Sequence, residues 1–329
     1  MSGGSRRRRA RLGGLTLLVA VVVAVWNLWS YAGPGPAARK GEITTVVLDR
    51  GLGLNSIAGE LADAGVIRSP GLFTLAARLT GAGGRLQAGE YEFASRAPLA
   101  SVLADIRAGK VVRHFVTIPE GWTSEMAAEA ILASEVLTGP ITPPPEGSIL
   151  PDTYQVQRGD SRAEVVVRMR LARDQLLDEL WANRQPGLPI TTPDQAVILA
   201  SIVEKETALP AERPRIAAVF TNRLRAGMRL ESDPTIIYGV SKGRPLGRGI
   251  RASELARKTI YNTYQIDGLP PTPIANPGRE ALAAVLAPPK TKELFFVADG
   301  TGGHVFANSY EEHLRNVARW RALERKKAD

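Results

Sequence analysis

A chain of 329 residues is long enough for a short appendage and two globular domains. Its formal charge of +9 does not argue for a nucleic-acid partner, because Arg6, Arg7, Arg8, Arg9 and Arg11 supply five of those charges in one terminal cluster and leave +4 on the remainder. With no cysteine and with its three histidines (His114, His304, His313) far apart, the chain offers no disulfide framework and no zinc-ligand spacing, so neither metal nor cofactor is expected.

Residues 1–11 read as a basic tail. From Leu12 to Trp29 the chain runs LGGLTLLVAVVVAVWNLW, 18 residues without a charge, close to the length of a bilayer-spanning helix. Trp26, Trp29 and Tyr31 stand at its far end, where amphipathic rings favour the interface, and the arginines stand before it. A single transmembrane helix over 12–32 is expected, with the N-terminus cytoplasmic and everything beyond about residue 33 outside. The alternative is a cleaved signal peptide, whose apolar stretch is usually shorter, about 7 to 15 residues. Residues 33–43, with Gly33-Pro-Gly-Pro36, read as a short stiff linker.

The next stretch, 44–115, has the pattern of a small α+β module. Thr44-Thr-Val-Val-Leu-Asp49 is β-branched and apolar, and Ile57, Ala58, Leu61 and Ala62 fall at helical spacing. Ser69-Pro70 caps a second helix running to Leu79, Gly89 to Phe93 alternates as a strand, and a helix from about Pro98 to Ala108 is closed by Gly109. Tyr91 and Phe93 share one strand face, a pair that either stacks on sugar rings or packs in a core.

Residues 116–329 contain no phosphate-binding Gly-rich loop and no Gly-x-Ser-x-Gly elbow. Helical patterns cover Arg162 to Asn183, Pro193 to Leu209 and Ala211 to Ala226, with one clear strand at Leu294 to Ala298. Asp233-Pro234 and Gly302-Gly303 read as turns. Thr192-Pro193-Asp194-Gln195 starts a helix with a hydroxyl cap, a proline in the first turn and a glutamine at the capping-box position. That helix is apolar nearly all round through Val203 and therefore belongs in a core.

Two glutamates follow. At about 100° per residue, Glu206 shares the stripe of Leu199, Ile202 and Val203, whereas Glu204 points roughly 200° away over Val197, Ala200 and Ser201. A carboxyl beside bulky apolar groups holds its proton to higher pH and can act as a general acid. Helix pattern alone leaves a second reading open, in which both are solvated glutamates near a helix end, paired with Lys205 or an arginine.

The segment Ala200-Ser-Ile-Val-Glu-Lys-Glu-Thr-Ala208, with Phe220 to Leu230, Ser232 to Gly239, Tyr261-Asn-Thr-Tyr264, Gly268 to Pro271, Phe296 to Phe306, Gly147 to Tyr154 and Ala88 to Phe93, closely resembles the endolytic murein transglycosylase family (MltG/YceG-like). The resemblance implies an α+β architecture in which a LysM-like module (44–115) precedes a mainly helical, lysozyme-like catalytic domain with a small β portion (116–329). It also implies a single-pass inner-membrane protein facing the periplasm. Such an enzyme cuts the MurNAc–GlcNAc bond within peptidoglycan glycan strands and leaves 1,6-anhydro ends, with peptidoglycan synthases as further partners. Glu206, followed by Thr207, resembles the Glu-Ser/Thr signature of lytic transglycosylases and is the expected acid, with Glu204 second. Asn222, Tyr238, Asn262, Tyr264 and His304 carry groups suited to sugar hydroxyls and N-acetyl groups. Asp152 and Asp299 are candidates for a second carboxylate, which a true hydrolase would need. The remaining alternative is a glycan-binding scaffold without catalysis.

Overall fold

The computed structural model describes residues 3–328, and the side chains of 17–19 and 21–325. It is an α+β chain of two compact units, 1–114 with 157–159 and 115–156 with 160–329.

The first unit begins with a long helix, α1 (Gly3–Ala32). Among the described residues no helix is long and apolar enough to cross a membrane. The span expected over 12–32 includes 12–16 and 20, whose side chains lie outside the described residues, as do those of the basic tail 1–11. Strand β1 (Ile43–Leu48), helices α2 (Leu54–Asp63) and α3 (Pro70–Leu79), strand β2 (Gly89–Ala94) and helix α4 (Leu99–Ala108) follow. The strands pair antiparallel from Ile43 opposite Ala94 to Leu48 opposite Gly89, so that Val46 and Leu48 point into the core while Thr45 and Val47 face out. Ser69 Oγ accepts the amide of Leu72, the cap that the Ser-Pro pair announces, and Gly109 ends α4 in the left-handed region at φ +64°. Tyr91 and Phe93 are buried and stack on each other, ring centroids 5.9 Å apart, and the Tyr91 hydroxyl donates to the Gln87 carbonyl at 2.7 Å. Core packing is thus their role.

The second unit opens within β3 (His114–Thr117), whose first residue belongs to the first unit, and continues through α5 (Ser124–Ala133), β4 (Thr153–Val156) and α6 (Arg162–Ala182), with β3 and β4 forming a two-stranded sheet. Ile118, Ile131, Ile149, Val156 and Met169 close one cluster between them. Helices α7 (Pro193–Glu206), α8 (Arg213–Arg225), α9 (Asp233–Ser241), α10 (Ala252–Ala256) and α11 (Arg279–Leu286) come next. A hairpin of β5 (Phe295–Ala298) and β6 (His304–Ala307) and the helix α12 (Tyr310–Ala328) complete the chain.

Helix α7 is the buried axis of this unit. All nine residues from Ala196 to Glu204 are buried, and Leu199 and Ile202 pack with Ile216 and Phe220 of α8 and Val285 of α11. A helix that is apolar on every face has no solvent side to offer, so its neighbours must surround it. Thr192 Oγ1 caps its first turn by accepting the Gln195 amide at 3.2 Å, while Gln195 Oε1 reaches back one residue further, to the amide of Thr191.

Three local readings differ from the sequence patterns. Helix α7 stops at Glu206 rather than Leu209, because Thr207 turns extended (φ −140°, ψ 140°) and Leu209 precedes a proline, which disfavours helical backbone. Asp233-Pro234 begins α9 instead of making a free turn, with Ser232 at the cap and proline in the first turn. A second strand, β6, pairs with β5 across the turn that holds Gly302 and Gly303.

Candidate active site

The end of α7, the start of α9, the β5–β6 hairpin and one face of α12 line an open cavity of about 390 Å³. Its walls include Glu206, Arg223, Glu231, Asp233, Tyr264 and His304. The two glutamates of α7 diverge as their spacing requires. Glu206 is half-buried and its side chain enters the cavity wall, where its Oε1 accepts a hydrogen bond from the Ser232 hydroxyl. Glu204 turns away into a buried ion pair, 2.7 Å from Arg213 Nη2, and its other oxygen accepts the Gly278 amide at 2.9 Å.

Their chemistry separates accordingly. Burial raises the Glu206 carboxyl to about 7, helped by the negative charge of Asp233 and opposed by the Ser232 hydrogen bond and by Arg223. This carboxyl can hold a proton near neutrality and release it to a bound group. Glu204 is also raised by burial, against the Gly278 amide and Arg213. Arg213 in turn is buried, yet the carboxylates of Glu204, Glu120 and Glu280 hold its guanidinium charged above the ordinary range. Both Glu204 oxygens are therefore engaged in a brace linking α7, α8 and α11 rather than presented to the cavity.

Ser232 is fixed through its backbone. Its amide donates to Thr263 Oγ1 at 2.9 Å, its carbonyl accepts Thr235 Oγ1 at 2.6 Å, and the two threonine hydroxyls meet at 2.9 Å. Next to it, Glu231 takes a left-handed backbone (φ +52°), uncommon for a residue with a side chain. Arg223 spans the gap, donating to the Arg229 and Leu230 carbonyls and to Glu231 Oε2. Asp233 Oδ1 accepts the Tyr264 hydroxyl at 2.8 Å, and Tyr264 is pushed far above its ordinary range by burial and by that carboxylate.

Of the substrate contacts expected from sequence, Tyr264 and His304 line the cavity with Glu206. Asn222, Tyr238 and Asn262 do not line it. Asn222 bonds the Thr291 and Glu293 carbonyls, and buried Asn262 gathers the carbonyls of Glu254, Leu255 and Arg257. Tyr238 donates to Glu146 Oε2 at 3.2 Å and meets the Tyr261 ring edge-on. Asp152 binds the next amide and Asp299 closes the β5–β6 turn through Thr301, so neither faces the cavity. The carboxylates that do are Glu231 and Asp233. Ser232 and Asp233 sit in a segment the sequence singles out, but their approach to Glu206 crosses 26 residues and leaves no periodic trace.

Comparison with known proteins gives a consistent result. A family model described as the YceG-like family matches residues 46–319. An endolytic murein transglycosylase of Bacillus subtilis is 31% identical over 182 residues, 55% of this chain and 49% of that protein. One of Streptococcus pneumoniae is 35% identical over 180 residues, 53% of this chain and 32% of that protein. The matched stretch thus spans about half and about a third of these relatives. The crystal structure of a putative YceG-like protein from Listeria monocytogenes superposes with a TM-score of 0.53 at 27% identity, covering 83% of this chain and 98% of that one.

Proposed function

Because the chain belongs to the YceG-like family, we propose that it is an endolytic lytic transglycosylase that cuts the MurNAc–GlcNAc bond within peptidoglycan strands, with Glu206 as its acid. One observation carries the reading: a half-buried glutamate in the wall of a 390 Å³ cavity, its carboxyl raised to about 7. The names of the B. subtilis and S. pneumoniae relatives supply the substrate class.

The chemistry follows from the donors present. Glu206 gives its proton to the glycosidic oxygen as the bond to the anomeric carbon breaks. The C6 hydroxyl of the same muramic residue attacks that carbon, and its proton returns to Glu206. No water is consumed, and the acid ends as it began. Intramolecular attack gains a large effective concentration, which is why one carboxyl suffices where a hydrolase places two across the bond. Ser232 holds one Glu206 oxygen and leaves the other for the transferable proton.

Digestion of sacculi by the full chain in detergent, wild type against Glu206→Gln, tests this by mass spectrometry of the product ends. Anhydro ends that vanish in the variant are expected. Reducing ends would favour a hydrolase with Asp233 or Glu231 as the second carboxylate, since both share the cavity. Intact sacculi with retained binding would favour a scaffold. Glu204→Gln, by its separate location, loses far less activity. We also assign residues 12–32 to a single-pass inner-membrane anchor with the catalytic part periplasmic, on the uncharged 18-residue run and its flanking arginines. A LysM-like role for the β1–α2–α3–β2–α4 module and a peptidoglycan synthase as partner complete the reading.

A further inference from the structure

Glu212 does not line the cavity, yet two of its three side-chain contacts go to a residue that does, His304, and the third goes to Thr207. Its Oε1 accepts the backbone amide of His304 at 2.7 Å, and its Oε2 lies 2.8 Å from His304 Nδ1 and accepts Thr207 Oγ1 at 3.0 Å. Although partial burial works against its charge, the His304 ring and amide bonds and the Thr207 hydroxyl hold this carboxyl below its ordinary value. A carboxylate can only accept. The imidazole nitrogen facing it must therefore carry the hydrogen.

We propose that Glu212 is a positioning residue that fixes His304 as the Nδ1–H tautomer, so that Nε2 presents a hydrogen-bond acceptor to a hydroxyl or acetamido N–H of the bound sugar. His304 lines the cavity with Glu206, and its Nε2 has no hydrogen-bond partner among the described residues. The ring is held edge-on to Phe296, centroids 5.2 Å apart, so its plane is set as well as its tautomer. Thr207 extends the same chain of bonds to the residue after the acid, since it ends α7 and its hydroxyl also accepts the Leu209 amide at 3.0 Å. One carboxylate thereby ties the hairpin histidine to the helix end that carries Glu206. A carboxylate or carbonyl behind an imidazole is the ordinary means of choosing which ring nitrogen points forward.

The acceptor role rests on the transglycosylase reading; the tautomer does not. The full chain in detergent, labelled with ¹⁵N-histidine, contains only three imidazoles, and His114→Gln and His313→Gln variants assign their ring signals. At mildly alkaline pH the wild-type His304 is expected to show a protonated Nδ1 and a bare Nε2. Glu212→Gln can donate to Nδ1, and the ring is expected to switch to Nε2–H, with kcat on sacculi falling about 10- to 100-fold as an acceptor becomes a donor. A wild-type ring protonated at Nε2 and bare at Nδ1 overturns the proposal, whether or not the variant folds. So does a Gln variant that keeps both the tautomer and full turnover. A wild-type ring as assigned, in a protein that makes no anhydro ends, supports the tautomer and overturns the transglycosylase reading.

Discussion

With its carboxyl raised from 4.5 to about 7, Glu206 binds a proton more tightly in the folded chain than in the unfolded one. The sign of the linkage follows. Stability from the protonated group is fully present, at roughly 3 kcal/mol, below about pH 4.5 and is lost as pH rises through about 7. Glu206→Gln keeps the Ser232 partner and has no charge to bury, so it should melt higher than wild type above pH 7 and equally below pH 4.5; calorimetry across that range checks it. Activity should fall through an alkaline limb near pH 7, where the acid is lost. Asp233→Asn removes the neighbouring negative charge, and the limb measured on soluble glycan fragments should move to lower pH. In the sequence, helical rotation separates Glu206 from Glu204, but the choice of Glu206 as acid comes from the family resemblance. Ser232, Asp233 and Glu212 were not legible, since each reaches the site through tertiary contacts that no spacing encodes.

At the level of elements, α7 is held by burial along its length and by Arg213 beside its end. Arg213→Ala leaves Glu204 buried without its cation, and urea denaturation should report a loss of about 3–5 kcal/mol. Gly147 supports the same helix from outside, at φ +74°, where an added Cβ would stand 2.6 Å from Pro273 Cγ and 3.0 Å from Val197 Cγ1. Gly147→Ala should destabilise by about 1–3 kcal/mol in the same assay, through both strain and overpacking. The starts of α3 and α7 could be read directly, because a hydroxyl followed by proline specifies a cap and a first turn locally. The start of α9 carries the same signal at Ser232-Asp-Pro234, but Asp-Pro is equally a turn former, and only packing decides between them. Strand β6 escaped because four residues behind a Gly-Gly turn become a strand only once β5 is there to pair with.

Across the whole molecule, charge and apolarity are divided along the chain, with five arginines and an uncharged 18-residue run ahead of the first strand, β1. If that run anchors the chain, the full-length protein should sediment with membranes and resist alkaline carbonate, and a chain lacking residues 1–32 should not. The α+β class was readable from the alternation of patterns, strand and helices in the first unit and helices with one strand in the second. That α7 is buried in the core of the second unit was readable too, since it is apolar nearly all round through Val203.

Helix α7 ends at Glu206, and that ending has an electrical meaning. The last carbonyls of a helix gather partial negative charge, equivalent to about half an electron. Anion sites are ordinarily built at the opposite terminus. A carboxyl set here is discouraged from ionising by its own helix. In the proposed cleavage a glycosyl cation forming beside it would meet favourable dipoles, so the α7 backbone would aid that step both before the proton leaves and after.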